Sequence, residues 1–302
     1  MSGPVTVREV GLRDGLQLVK RPLDTDKKLD WIRAQAATGF TEIEVTSFVP
    51  PALLPQFADA AEVLQGASVV AGLTASALVL NIRGAIRAID AGARKITFVL
   101  SASEAHNQSN VRCSTDDSLA MFRELAAEIR TRDDIALAGA IATSFGCSIQ
   151  GEVRESRVLL IAATMADAGA IEINLADTVG YAHPRQVTRI FDDVAREVGQ
   201  VLLAAHFHDT RGLGLANVVA AFDSGVRRFD AALGGLGGCP FAPGASGNIA
   251  TEDTVYLLEC LGADTGVDIQ ALLDLRERMP IWLPSESLGG KLATAGLRPP
   301  LP

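Results

Sequence analysis

One punctuation recurs along this chain: a helical stretch, a glycine, then a short run of strand-forming residues. It stands at Gly39 before residues 42–45, at Gly92 before 95–99, at Gly169 before 171–175, and at Gly225 before 229–233. Glycine tolerates the left-handed conformation that ends many helices, so each of these marks a helix-to-strand joint. Further strand candidates lie at 5–10, 68–73, 135–143 and 201–207. Helical spacing follows at 24–37, 77–90, 118–130, 154–168, 184–198 and 213–224. Eight strands alternating with helices in a chain of 302 residues predict an α/β fold, a (β/α)₈ TIM barrel. A doubly wound open sheet is the alternative, but no Gly-x-Gly-x-x-Gly follows the first strand. Past residue 250 come two further helices: 252–261 is expected to complete the barrel, and 269–278 to form a short C-terminal extension. The barrel with its helices is expected to occupy residues 1–283. The remainder, 284–302, rich in Gly, Ser and Pro, reads as a flexible C-terminal tail.

Composition narrows the partner. A net charge of −9 argues against a nucleic-acid surface or an anionic membrane. The four cysteines are widely spaced, without a Cys-x-x-Cys pair, as in reduced cytosolic proteins. No signal-peptide core and no apolar run of spanning length is present, so a cytoplasmic protein with a small-molecule partner is expected.

Of the four histidines, two sit together in His206-Phe207-His208-Asp209-Thr210, at the end of an apolar run. Residues two apart on a strand share a face, so His206 and His208 project together and Phe207 points away. Two imidazoles on one face are half a metal site. In a barrel of this kind the active site lies at the C-terminal strand ends. There the chain carries Gly11-Leu12-Arg13-Asp14-Gly15-Leu16-Gln17, then Glu44 and Thr46, then Ala176-Asp177-Thr178, then the His pair, and last the glycine-rich loop 234–248 with Cys239. Two imidazoles, a carboxylate and an amide oxygen suit octahedral Mg²⁺ or Mn²⁺, and Zn²⁺ would also be accepted. Arg13 beside them is placed to stabilise an oxyanion or enolate.

These motifs resemble the 3-hydroxy-3-methylglutaryl-CoA lyases, within the aldolase-like metal-dependent lyases and synthases built on (β/α)₈ barrels. The similarity runs over about residues 5–265 and includes Ile43-Glu44-Val45-Thr46-Ser47-Phe48-Val49 and the stretch from Gly234 to Asp253. The motifs Gly11–Gln17 and His206–Thr210 are shared by the wider group, whereas the Cys-containing glycine loop is far more specific to the lyases.

The resemblance implies that Asp14, His206, His208 and Asn248 are metal ligands, that Arg13 meets the thioester carbonyl, and that Glu44 supports Arg13. It makes Cys239 a catalytic thiol that delivers a proton to the enolate. It places Gln17, Lys20 and Thr178 on the acyl-CoA substrate, with Lys20 near the CoA phosphates. The implied reaction is retro-Claisen cleavage of 3-hydroxy-3-methylglutaryl-CoA to acetyl-CoA and acetoacetate, as in leucine catabolism and ketone-body formation, with a homodimer as the family-level assembly. Typical lyases carry Tyr where Arg211 stands, Pro where Leu12 stands, Gly where Ala176 stands, and Gly-Cys-Pro where Gly146-Cys147-Ser148 stands. None of these departures removes a ligand, but all lie near the expected mouth, so a related 3-hydroxy-acyl-CoA is an alternative substrate. A Claisen-condensation synthase and a non-catalytic acyl-CoA-binding barrel are the other readings.

Overall fold

The computed structural model describes residues 3–238 and 247–298. Eight parallel strands close into a barrel in sequence order: β1 (Thr6–Glu9), β2 (Glu42–Ser47), β3 (Thr74–Val79), β4 (Lys95–Ser101), β5 (Ala136–Ala142), β6 (Glu172–Asp177), β7 (Leu202–Phe207) and β8 (Arg228–Ala231). Around them run α1 (Thr25–Ala37), α2 (Ala60–Ser68), α3 (Ile82–Asp90), α4 (Glu104–Val111), α5 (Thr115–Ile129), α6 (Glu155–Ala168), α7 (Pro184–Val198), α8 (Gly214–Asp223) and α9 (Thr251–Cys260). The apolar core lies between strands and helices. There Phe207, pointing outward from β7, packs against Phe145 and Phe191 with ring centroids 5.9 and 6.5 Å away. No described helix is long and apolar enough to cross a membrane.

One expected strand is displaced. Residues 68–73 do not form β3: Ser68 ends α2, Val69 is 81% exposed, and Gly72 turns the chain with φ +76°. The strand is the Ala- and Ser-containing segment Thr74–Val79, and α3 begins at Ile82 rather than near 77. Its weak intrinsic strand preference is overridden by pairing on both sides, Ile43 with Ala75 and Ala77 with Ile96.

The barrel interior is not the usual stack of branched aliphatic side chains. At the N-terminal strand ends, Glu42 of β2, Lys95 of β4, Glu172 of β6 and Arg228 of β8 close a ring of ion pairs. Lys95 Nζ lies 2.6 Å from Glu42 and 2.8 Å from Glu172, Arg228 lies 2.8 Å from Glu172, and Arg228 also pairs with Glu42. Arg8 of β1 sits on this ring, 3.0 Å from Glu42 and 2.7 Å from Glu172. Although burial acts against the anion, Arg8, Lys95 and Arg228 hold the Glu172 pKa down at about 2. Alternate strands supply each layer, which is why four residues from four even-numbered strands meet.

Residues 284–298, whose composition favours mobility, are tied to the barrel. Glu286 accepts from the Lys20 amide at 3.1 Å, and the Gly289 amide donates to the Gly234 carbonyl at 2.6 Å. The amides of Lys291 and Leu292 donate to Asp253, and Leu292 is buried. The short helical turn Met279–Trp282 precedes this segment, and Leu292–Ala295 lies within it.

Candidate active site

The first motif leaves β1 as a single wide helical turn, Gly11–Gly15. The amides of Arg13, Asp14 and Gly15 all converge on the Val10 carbonyl, at 3.0, 2.7 and 3.3 Å. Wide turns of this kind recur at functional sites. Beneath it lies Glu9, fully buried. It accepts from the amides of Gly11 (2.8 Å) and Leu233 (2.9 Å), from Thr251 Oγ1 (2.7 Å) and from Gln35 Nε2 (3.2 Å). One carboxylate thus joins the β1 turn to the start of the glycine-rich loop and to α9. Burial raises its pKa to about 7 against hydrogen bonds that favour the anion.

Arg13 forms ion pairs with both Glu44 and Asp14. Glu44 precedes a one-residue irregularity in β2, where Thr46 rather than Val45 pairs with Ala77. Such bulges re-aim side chains near active sites. Burial would raise the Asp14 pKa, but the Arg13 charge, with His208 and His206 beyond it, holds it well below the usual carboxylate range.

Asp14, His206 and His208 come together so that one ligand-capable atom from each lies within 4.8 Å of the others. They form a group able to hold a metal ion. The ring centroids of the two histidines are 5.1 Å apart, as the alternation along β7 requires. Asn248 joins the cluster from the far side of the loop. It forms a bridge with His208, and its Nδ2 donates to Asp14 Oδ2 at 2.8 Å and to the Leu236 carbonyl at 3.0 Å. Its Oδ1 and the Nδ1 of His208 are buried without a hydrogen-bond partner. The backbone comes very close here: a Cβ on Gly237, whose φ is +134°, would stand 2.6 Å from Asn248 Nδ2. Only glycine fits.

The remaining expected residues separate. Thr178 stands at the mouth, where its Oγ1 accepts from the Thr143 amide at 2.9 Å. Thr143 is fully buried and left-handed, φ +56°, an unfavourable state for a β-branched residue. Gln17 is half-buried on the turn Leu16–Leu18, and Lys20 is exposed; among the described residues neither bonds to the cluster. Cys239 lies outside the described residues. Asp177 and Asp209 serve the backbone instead: Asp177 accepts from the Tyr181 and Ala182 amides, and Asp209 accepts from the first amide of α8.

Residues 5–279 match the family model described as HMGL-like. The chain belongs to the HMGL-like family. It is 40% identical over 281 residues to the hydroxymethylglutaryl-CoA lyase of Pseudomonas mevalonii, covering 92% of both chains. It is 39% identical over 297 residues to the 3-hydroxy-3-isohexenylglutaryl-CoA/hydroxy-methylglutaryl-CoA lyase of Pseudomonas aeruginosa, covering 98% of both. An HMG-CoA lyase structure from Acinetobacter baumannii, in complex with coenzyme A and 3-methylmalate, superposes with a TM-score of 0.93 at 42% identity. That alignment covers 99% of this chain and 98% of the other. Leu12 is fully buried in the core, and Arg211 lies over the Tyr181 ring at 4.3 Å, donating to the Val179 and Gly180 carbonyls.

Proposed function

We propose that this protein is a metal-dependent carbon–carbon lyase that cleaves 3-hydroxy-3-methylglutaryl-CoA to acetyl-CoA and acetoacetate. The observation that carries the reading is the buried cluster of Asp14, His206, His208 and Asn248 beside the Arg13–Glu44 pair, in a chain near 40% identical to lyases of that name over nearly its whole length. The donor set is hard, nitrogen and oxygen only, and the unpartnered Asn248 Oδ1 is a free acceptor at its edge. It fits Mg²⁺ or Mn²⁺, held by Asp14, His206, His208 and Asn248.

A divalent ion bound there supplies Lewis acidity that acidifies and orients the tertiary hydroxyl of the substrate. Arg13, braced by Glu44 and Asp14, faces the thioester carbonyl and holds the enolate oxygen as negative charge develops there. Thr178 spends a lone pair on the Thr143 amide, which leaves its hydroxyl proton to donate to the substrate. Gln17 and Lys20, on the rim after β1, take the pantetheine and phosphate end of the acyl-CoA. Cys239, in the loop whose stems are Gly237 and Gly247, delivers the proton that converts the enolate to acetyl-CoA.

The test is a product assay on the purified protein. Incubated with HMG-CoA and Mg²⁺, it should release acetoacetate and acetyl-CoA in equal amounts. 3-Hydroxy-3-isohexenylglutaryl-CoA, named for the Pseudomonas aeruginosa relative, serves as the competing substrate. Turnover of that compound alone would move the assignment to a longer acyl side chain, and turnover of neither would sink the lyase reading.

A further inference from the structure

Between the ion ring at the barrel floor and the histidine pair lies Asp230 of β8. The strand register sets it there, because His206 and Asp230 are directly paired residues of β7 and β8. It is 3% exposed, and every approach to its carboxylate is taken. Oδ1 accepts from Arg8 Nε at 2.8 Å and lies 2.7 Å from Arg8 Nη2. Oδ2 accepts from Asn174 Nδ2 at 2.7 Å and lies 3.2 Å from His206 Nδ1.

This division of labour constrains the imidazole. A carboxylate paired with a guanidinium has no proton to give, so it can only accept. The proton between it and His206 therefore sits on Nδ1, and the lone pair of the neutral ring is left on Nε2. His208 has no such partner, since its Nδ1 is buried without a hydrogen bond. Asp230 cannot turn away, because Arg8 holds its other oxygen and is itself fixed on Glu42 and Glu172. The charges of the assembly balance: Glu42, Glu172 and Asp230 stand against Arg8, Lys95 and Arg228. Arg8 takes Oδ1 alone, which leaves Oδ2 to Asn174 and His206.

We infer that Asp230 is a positioning residue: with Arg8 and Asn174 it fixes His206 in the tautomer and orientation that present Nε2 to a divalent cation. This rests on the reading of His206 as a metal ligand. Carboxylate partners of metal-binding imidazoles raise ligand basicity and remove rotational freedom, and their loss weakens metal binding roughly ten- to a hundredfold. Asp230→Asn keeps the shape but turns an NH₂ group toward either Arg8 or the His206–Asn174 pair, so one donor must face another.

Two measurements test this. Nitrogen-15 correlation spectra of histidine-labelled, metal-free wild-type protein report the tautomer without any substitution. The expected result is a proton on His206 Nδ1, and a proton on Nε2 overturns the inference. Mn²⁺ titration followed by electron paramagnetic resonance then compares wild type, Asp230→Asn and His208→Ala, with circular dichroism reporting the fold. The Asn variant should bind Mn²⁺ roughly ten- to a hundredfold more weakly. Should it unfold, the wild-type spectrum decides alone. Mn²⁺ affinity kept in Asp230→Asn but lost in His208→Ala overturns the positioning role and leaves the metal reading intact. Affinity kept in both overturns the metal reading itself.

Discussion

Asn248 and Asp14, 234 positions apart in the chain, are joined by a 2.8 Å hydrogen bond from amide Nδ2 to carboxylate Oδ2. That bond orients the Asn248 side chain so that Oδ1 is the only acceptor it has left to offer. Asn248→Ala should lower Mn²⁺ affinity by roughly tenfold or more, comparable to losing an ordinary metal-site partner. Affinity within twofold of wild type would take Asn248 out of the ligand set.

Alternation along β7 separates two neighbouring residues sharply. His208→Ala should strongly weaken metal binding, whereas Phe207→Leu, on the core face with Phe145 and Phe191, should leave it unchanged and lower stability by about 1 kcal/mol. Calorimetric metal titration and urea unfolding on the same two variants separate the effects. Equal loss of metal in both would contradict the alternation.

Asp14 and Glu44 fix the Arg13 guanidinium between them. Arg13→Ala should lower kcat by roughly a thousandfold with a modest change in KM, because the enolate oxygen is charged mainly in the transition state. A rise in KM at unchanged kcat would make Arg13 an ordinary binding residue.

The floor ring predicts a stability effect far from the chemistry. Lys95→Met leaves Glu42 and Glu172 short of a cation and should destabilise by about 3–5 kcal/mol in urea unfolding. A loss below about 1 kcal/mol, the size of an exposed pair, would contradict a buried ring.

Glu9 gives a pH dependence of defined sign. Its pKa in the fold, about 7, lies above its ordinary value of 4.5, so the folded state binds the proton more tightly. Its contribution is therefore full below about pH 4.5 and is lost as the pH rises through about 7, by up to about 3 kcal/mol. Glu9→Gln cannot ionise, so its stability relative to wild type should increase between pH 5 and pH 8. A difference that stays flat over that interval would show that Glu9 is already ionised at pH 5.

The barrel was legible because its punctuation is local: Gly39, Gly92, Gly169 and Gly225 each end a helix with positive φ. The third strand was not, because the Val69-Val70 pair mimics a strand while Thr74–Val79 gains its strand character only from neighbours on both sides. His206 and His208 were visible through a period of two. Asp230 carried a weaker signal, a carboxylate inside the otherwise apolar Phe229-Asp230-Ala231-Ala232, which reads as inward-facing only once the barrel closes. The ion ring was hidden for the same reason. Glu42, Lys95, Glu172 and Arg228 each look like a solvated strand start, and only shear and closure bring them within ion-pair distance.

The most direct measurement is turnover of HMG-CoA by protein stripped with a chelator and then titrated with Mg²⁺ or Mn²⁺, beside Asp14→Asn treated in the same way. Activity should vanish on stripping and return saturably with either ion in the wild type, while the variant stays inactive at the concentrations that restore it. Full turnover in the stripped wild type, or restoration of Asp14→Asn at the same ion concentration, would contradict a reaction that depends on a divalent ion at the Asp14–His206–His208 site.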